Sequence, residues 1–339
     1  MSVKTEVLEL FENNRGIHLS GVEIAGKLNV SRNAVWKAVK SLQAEGYDIE
    51  GVNNKGYCMK SSNDVLSAQG IEKYLDDVMA AQTDIEVHKT VDSTNTRLKE
   101  LAVQGEPEWK IILAEGQTQG KGRMNRGFYS PAGAGIYMSI LFRPKFSASE
   151  SLFITTMAAV AVAKAIESVV HIRPAIKWVN DIFCEGKKVC GILTEAAVNV
   201  ESGYLDYAVL GIGVNVNKPE ENFPDPLKNI AISLADTKQG NEEWPARDDI
   251  RCRLAAEIIN NIGRYYKDMG NHSFMKEYVE YSFLIGKSVV IVGKESEELL
   301  VKGIDEHAGL IVQHKDGSVE TLSSGEVSVK PLQQEAEKR

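Results

Sequence analysis

The sequence predicts an α+β protein in three parts: an N-terminal winged helix-turn-helix, a central α+β domain that holds a ligand, and a small C-terminal β-barrel. Three observations predict it. Two amphipathic segments near the N-terminus are joined by a short turn and followed by a hairpin pattern. Strand-like apolar runs alternate with helical ones from Ile85 to Val216, and a glycine-rich cationic loop follows one of them. Five short alternating runs then crowd the segment from Leu284 to Leu332. The expected limits are 1–62, 65–283 and 284–332.

The first helix is expected over Lys4 to Asn13, from Val7, Leu8, Leu10 and Phe11. Ser20-Gly-Val-Glu23 has capping-box form, with Ile24, Ala25 and Leu28 behind it. After Asn29-Val30, Ser31 is placed to cap a segment running from Arg32 to about Glu45, whose apolar face is read as Val35, Trp36, Val39 and Leu42. Its other face carries Arg32, Asn33, Lys37 and Lys40, and with Ser31 these are the candidate DNA-contacting residues of a recognition helix. Gly46 to Met59 reads as two strands around Asn53-Asn54-Lys55-Gly56, a wing. A winged helix used only for protein contacts is the alternative.

Ser61 to Asp64 is read as a linker and Val65 to Met79 as one helix. A strand over Ile85 to Val91 ends at Asp92-Ser-Thr-Asn-Thr96, whose small polar side chains either cap the next helix or meet a ligand. The strand Lys110 to Glu115 enters Gly116-Gln-Thr-Gln-Gly-Lys-Gly-Arg-Met-Asn-Arg-Gly127, which sets Lys121, Arg123 and Arg126 among four glycines. Such a loop can close over phosphate or carboxylate oxygens, the backbone N–H groups adding a nest. It is neither a Walker A loop, since three residues rather than four precede Gly120-Lys121, nor a dinucleotide loop, since Asn125 stands at the last glycine position. A strand Gly135 to Phe142 and a core helix Ser151 to Val170 follow. Further strands are expected over Ile176 to Ile182, Val189 to Glu195 and Tyr204 to Val216. In the last of these, Gly211 and Gly213 mark a close approach by a neighbour or ligand. Loops over 217–229, long enough for a lid, and over 237–249 precede helices from Ile250 to Met269 and Phe274 to Phe283.

Composition restricts function. A net charge of -8 argues against nucleic-acid binding over the whole surface but leaves room for a local DNA-reading face. Four dispersed cysteines without a C-x-x-C suggest reduced thiols, and no signal peptide opens the chain, so a cytoplasmic protein is expected. Lys164 and Glu167 interrupt the most apolar run, so no membrane partner is expected. The histidines show no metal-ligand spacing, and no metal site is expected.

Five motifs in order resemble the bacterial bifunctional biotin–protein ligase and biotin-operon repressor family. They are Ser93-Thr-Asn95, Gly120-Lys-Gly-Arg-Met-Asn-Arg126, Lys177-Trp-Val-Asn-Asp181, Lys188-Val-Cys-Gly-Ile-Leu193 and Gly211-Ile-Gly-Val-Asn215. The resemblance implies a central domain like the class II aminoacyl-tRNA synthetases and an SH3-like barrel. It implies biotin and ATP as substrates, with Mg2+ accompanying ATP, and biotinyl-5′-adenylate as the intermediate. The implied partners are apo biotin carboxyl carrier protein, operator DNA and a ligand-linked homodimer.

Carried over residue by residue, it assigns Ser93, Thr94, Asn95, Gln117, Lys121, Gly122, Arg123 and Lys188 to biotin. Arg126, Phe128, Asn180, Asp181 and Asn215 go to ATP, with Lys188 and Arg123 as the catalytic pair. The sequence departs from the family pattern at Lys121, where arginine is usual, at Asn125, where glycine is usual, and at Val179, where proline is usual. The rival readings are a non-catalytic ligand-sensing regulator, a lipoate–protein ligase and, last, a scaffolding protein that would leave the cationic loop without a purpose.

Overall fold

Serines start each helix of the N-terminal unit in the computed structural model, which describes residues 2–147, 150–199, 201, 203–239, 249–292, 294–323, 325 and 327–329. Ser2 caps α1 (Val3–Glu12), and Ser20 Oγ accepts from Glu23 N at 3.0 Å to open α2 (Gly21–Leu28). Glu23 does not complete the capping box; its carboxylate pairs with Lys27 one turn on, at 3.0 Å. Asn29 ends α2 in the left-handed region, with φ 52°. Ser31 Oγ accepts from Ala34 N at 3.1 Å at the start of α3 (Arg32–Glu45). The wing is the antiparallel pair β1 (Ile49–Val52) and β2 (Gly56–Met59).

Val7, Phe11, Val35, Val39 and Leu42 make the buried core of this unit. Trp36 was expected among them and is instead 48% exposed. Val35, Val39 and Leu42 share a face at spacings of four and three. Trp36 lies one residue round the helix, in line with Arg32 and Lys40.

The central sheet has seven strands: β3 (Asp84–Val91), β4 (Lys110–Gln117), β5 (Gly135–Phe142), β6 (Ala175–Lys177), β7 (Asp181–Cys184), β8 (Lys187–Val198) and β9 (Leu205–Asn215). Their order is β3-β4-β5-β9-β8-β7-β6. Only β3 and β4 run parallel, and the connection between them contains the helix Thr94–Val103. Leu98 and Ala102 of that helix pack on Ile112, Leu141 and Val209 on one face of the sheet.

Against the opposite face lie the apolar helix Ser151–Val170 and the helix Ile250–Lys267, in one continuous core. Ser151–Val170 is the one helix among the described residues long and apolar enough to cross a membrane, and the fold buries most of it.

Two expectations for this region are corrected. The expected helix over Val65 to Met79 is two short helices, Ala68–Glu72 and Asp77–Gln82, because Ser67 and then Asp76 each cap a new start. The expected strand over Ile176 to Ile182 is a tight hairpin, because Lys177 pairs with Asp181 and leaves Trp178-Val179-Asn180 as its turn. Most of the expected loop over 237–249, Gly293 and the expected C-terminal limit at 332 lie outside the described residues.

The last unit is an antiparallel five-stranded sheet ordered β13-β12-β11-β10-β14. Its strands are β10 (Ser288–Ile291), β11 (Lys294–Ile304), β12 (Leu310–Gln313), β13 (Val319–Leu322) and β14 (Val327–Val329). Val289, Leu299, Leu310 and Val312 are buried in the same core cluster as the central domain. Trp178 Nε1 also donates to the Ala308 carbonyl at 2.8 Å, so the two sheets are bound together.

A buried charge network joins the winged helix to the rest. Arg251 donates to Glu115 Oε2 at 2.6 Å and to Asp64 Oδ2 at 3.0 Å. Beside it, Arg15 of the winged helix pairs with Glu12 at 2.7 Å and lies 3.7 Å from Asp249. Arg15 also donates to the Ser61 and Asn63 carbonyls of the linker, at 3.2 Å and 2.5 Å. Glu115 sits on the strand that enters the cationic loop, so one electrostatic cluster touches linker, winged helix and loop root.

Candidate functional site

A cleft of about 690 Å³ opens over the β5, β9 and β8 side of the central sheet. Every ligand-site residue expected from the sequence lines it: Ser93, Thr94, Asn95, Gln117, Lys121, Gly122, Arg123, Arg126, Phe128, Asn180, Asp181, Lys188 and Asn215.

One wall is a fixed polar chain at the start of the helix Thr94–Val103. Ser93 Oγ accepts from Thr96 N at 3.5 Å, so the capping reading of this serine holds alongside its place in the cleft. Gln117 Oε1 accepts from Thr94 N at 2.9 Å and from Thr94 Oγ1 at 3.1 Å, while its amide donates to Ser130 Oγ at 2.9 Å. Asn95 donates to Glu195 at 2.9 Å and accepts from Ser139 at 2.6 Å. Burial would raise the Glu195 pKa, but hydrogen bonds from Lys99 and Asn95 outweigh it and hold the carboxyl below its ordinary value. Ser139 and Glu195 escaped sequence reasoning. Each sits inside an ordinary strand pattern, and only the register of β5, β9 and β8 brings them under Asn95.

The floor is built for close approach. A Cβ on Gly211 would meet Asn95 Oδ1 at 2.2 Å, and one on Gly213 would meet the Phe128 ring at 2.5 Å. The approach expected at these glycines is therefore made by two residues of the site itself. Phe128 is half-buried on this floor, with its ring 6.4 Å from that of Tyr137 in an edge-on arrangement.

The cationic loop folds back on itself. Lys121 bridges Gly127, Gly122 N donates to Arg126 O at 2.7 Å, and a single 3-10 turn spans Arg123–Asn125. Met124 and Asn125 are left-handed, with φ 54° and 58°, so the asparagine adopts the conformation a glycine would take without strain. Lys121 and Arg126 are exposed. Arg123 crosses the cleft mouth, donating to Asn180 Oδ1 at 2.9 Å and to the Gly325 carbonyl at 3.0 Å.

Opposite the loop, Lys188 Nζ pairs with Asp181 Oδ1 at 2.6 Å. The two stand on neighbouring strands of the Asp181–Val198 hairpin. Asn180 is held in the turn by donating to the Ile192 carbonyl at 2.7 Å. Asn215 donates to the Ile232 carbonyl at 3.3 Å. Further lining that the sequence reading left unassigned comes from Lys177, Trp178 and the stretch Phe223, Leu227 and Ile230. That stretch falls within or beside the segment read as a lid.

The cleft thus holds fixed donors and acceptors at one end, an aromatic face on a glycine floor, and cations at its mouth. It can bind a small polar ring, a nucleobase and the anions between them. The DNA candidates lie elsewhere, on α3. Arg32, Asn33, Lys37 and Lys40 are all exposed there, while Ser31 uses its hydroxyl as a cap.

Comparison with known proteins agrees in order with these three units. The model of the biotin/lipoate A/B protein ligase family matches residues 87–215, an HTH domain matches 4–58, and a biotin protein ligase C terminal domain matches 284–330. The bifunctional ligase/repressor BirA of Bacillus subtilis is 35% identical over 273 residues, covering 80% of this chain and 81% of that protein. BirA of Escherichia coli is 24% identical over 339 residues, covering 97% and 98%. The structure of biotin protein ligase from Aquifex aeolicus in complex with biotin and ATP superposes with a TM-score of 0.60 at 28% identity, covering 73% of this chain and 98% of that one.

Proposed function

Given that the chain belongs to the BirA family of bifunctional ligase/repressors, we propose that it makes biotinyl-5′-adenylate from biotin and ATP, then biotinylates a lysine of an apo biotin carboxyl carrier protein. It is a biotin–[acetyl-CoA-carboxylase] ligase, and biotin and ATP are its substrates. The observation that carries the reading is the convergence of polar wall, aromatic floor and cations on one cleft.

In the first step a biotin carboxylate oxygen bonds to the α-phosphorus as the bond from that phosphorus to the pyrophosphate oxygen breaks. In the second the carrier's lysine amine attacks the acyl carbon, loses a proton to solvent and releases AMP. Neither step needs an enzyme nucleophile. Both need two anions held together, which is work for positioned cations.

Ser93, Thr94, Asn95 and Gln117 orient the biotin ring. Lys121, Gly122 and Arg123 close over the carboxylate and phosphate, and Lys188 stands between the reacting anions. Phe128 offers its face to adenine, and Arg126 and Asn215 serve the nucleotide. Asn180 and Asp181 would lie near the ATP phosphates or the Mg2+ that accompanies them, for which their oxygens are suitable hard donors. The domain limits 1–62, 65–283 and 284–332 fit this division of labour.

With adenylate bound, the ordered loop favours a homodimer that sets two winged helices on an inverted-repeat operator, and the protein then acts as a repressor. Transfer is tested by incubating the protein with ATP and an apo carrier domain, with biotin or lipoate in separate arms. Biotin on the carrier lysine supports the reading; lipoate instead moves the chain to lipoate ligation, and neither product rejects catalysis. Sedimentation with and without biotin and ATP tests the switch, which a dimer indifferent to both ligands would reject.

A further inference from the structure

The histidines have no metal-ligand spacing along the chain, but the fold makes one. Glu50 and Cys58 face each other as a cross-strand pair in the wing. Leu19 and Tyr57 exchange two backbone hydrogen bonds of 2.8 and 2.9 Å, which lays the segment before α2 beside the wing as a third strand. That register sets His18 next to Cys58. Side chains on such a row project to the same face of the sheet. One ligand atom each from His18, Glu50 and Cys58 lie within 4.8 Å of one another.

We propose that His18, Cys58 and Glu50 form a binding site for a divalent transition-metal ion of borderline softness, Zn2+ foremost, that fastens the wing to the strand before α2. His18 Nε2 is shielded from solvent and makes no hydrogen bond among the described residues, and it lies 3.7 Å from Glu50 Oε1. The Cys58 thiol is buried and, among the described residues, its hydrogen-bond partner is the Met59 carbonyl, at 3.7 Å. One ion would satisfy all three groups.

Imidazole, thiolate and carboxylate are a zinc or cobalt set, whereas Mg2+ and Ca2+ prefer all-oxygen sets. Bonds of about 2.0–2.3 Å in tetrahedral geometry need ligand atoms roughly 3.3–3.7 Å apart, a closure of about an ångström by side-chain rotation, with the fourth position left to water. On binding, the thiol proton leaves to solvent as the metal–sulfur bond forms, and water ligands leave the aquo ion.

The test uses the full chain, reduced and metal-free. Zn2+ is titrated against a chromophoric chelator, Co2+ is followed by its thiolate charge-transfer band, and Mg2+ is the control. The site predicts one equivalent of Zn2+, a thiolate–cobalt band and no competition by Mg2+. His18→Asn and Cys58→Ser should each weaken binding beyond the roughly 10–100-fold that an outer-shell change costs. His18→Asn keeps the test decisive if Cys58→Ser misfolds, because His18 is only half-buried. Pyrophosphate exchange should be unchanged in both, since neither residue lines the cleft. Absence of Zn2+ binding, a cobalt spectrum without the thiolate band, or binding that survives His18→Asn overturns the proposal.

Discussion

Gly213 has no side chain, yet it fixes where the aromatic of the site can lie. A Cβ there would sit 2.5 Å from the Phe128 ring, so Gly213→Ala must push the ring off its floor. Overpacking of this kind costs about 1–3 kcal/mol. If Phe128 supports adenine, the KM for ATP should rise about tenfold while the KM for biotin stays close to wild type, a split that steady-state kinetics will show. Glu195 gives a second test, by pH. Its folded-state pKa is depressed, so it adds stability above the unfolded glutamate value of about 4.3 that is lost as pH falls through the lower folded value. Glu195→Gln should therefore flatten the decline of stability in that acid window, read from denaturation midpoints. An unchanged pH profile would mean that Lys99 and Asn95 do not hold this carboxyl. Lys188 was legible only through the resemblance of its motif, since a Lys-Lys turn by itself marks nothing, while Arg123 and the cationic loop were legible in local sequence, where charge and glycine leave marks. Ser139 and Glu195 were not, because their importance lies in strand register rather than in neighbours along the chain.

At the scale of elements, α3 carries the DNA-reading proposal. Its start was legible from Ser31, which caps it, while Gly46, read as the opening of the wing, ends it in the left-handed region with φ 105°. The side of the helix to which Trp36 belongs was not legible, since a tryptophan beside three core positions reads as core until the helix is packed. Its exposure in line with Arg32 and Lys40 predicts that Trp36→Ala changes stability by less than about 0.5 kcal/mol. The same substitution should weaken operator binding about fivefold or more. Lys37→Ala should instead lower the salt dependence of binding by about one unit of slope across all DNA sequences. Fluorescence anisotropy with operator and unrelated duplexes separates the two. Equal loss on both duplexes for Trp36→Ala would make it a backbone contact. The hairpin at Lys177–Asp181 teaches the same lesson. Three residues without glycine hid the turn, and the strand pairing on either side imposes it.

Across the whole molecule, Arg251 is the joint between units. It is almost wholly buried, and its guanidinium holds Glu115 at the root of the cationic loop and Asp64 in the linker to the winged helix. Arg251→Met leaves both carboxylates facing an uncharged side chain, and breaking a buried pair in this way costs about 3–5 kcal/mol. Chemical denaturation should show that loss, and a loss under about 1 kcal/mol would mean that the carboxylates find water instead.

The proposed activation of biotin sets Lys188 between the two anions in one cleft. Biotin-dependent exchange of labelled pyrophosphate into ATP tests it most directly, with wild type and Lys188→Ala side by side. Exchange should require biotin and fall by about 10²–10³-fold in the variant, the scale of losing one positioned donor to a transition state. Exchange that proceeds equally well without Lys188, or no exchange with biotin at all, would contradict it.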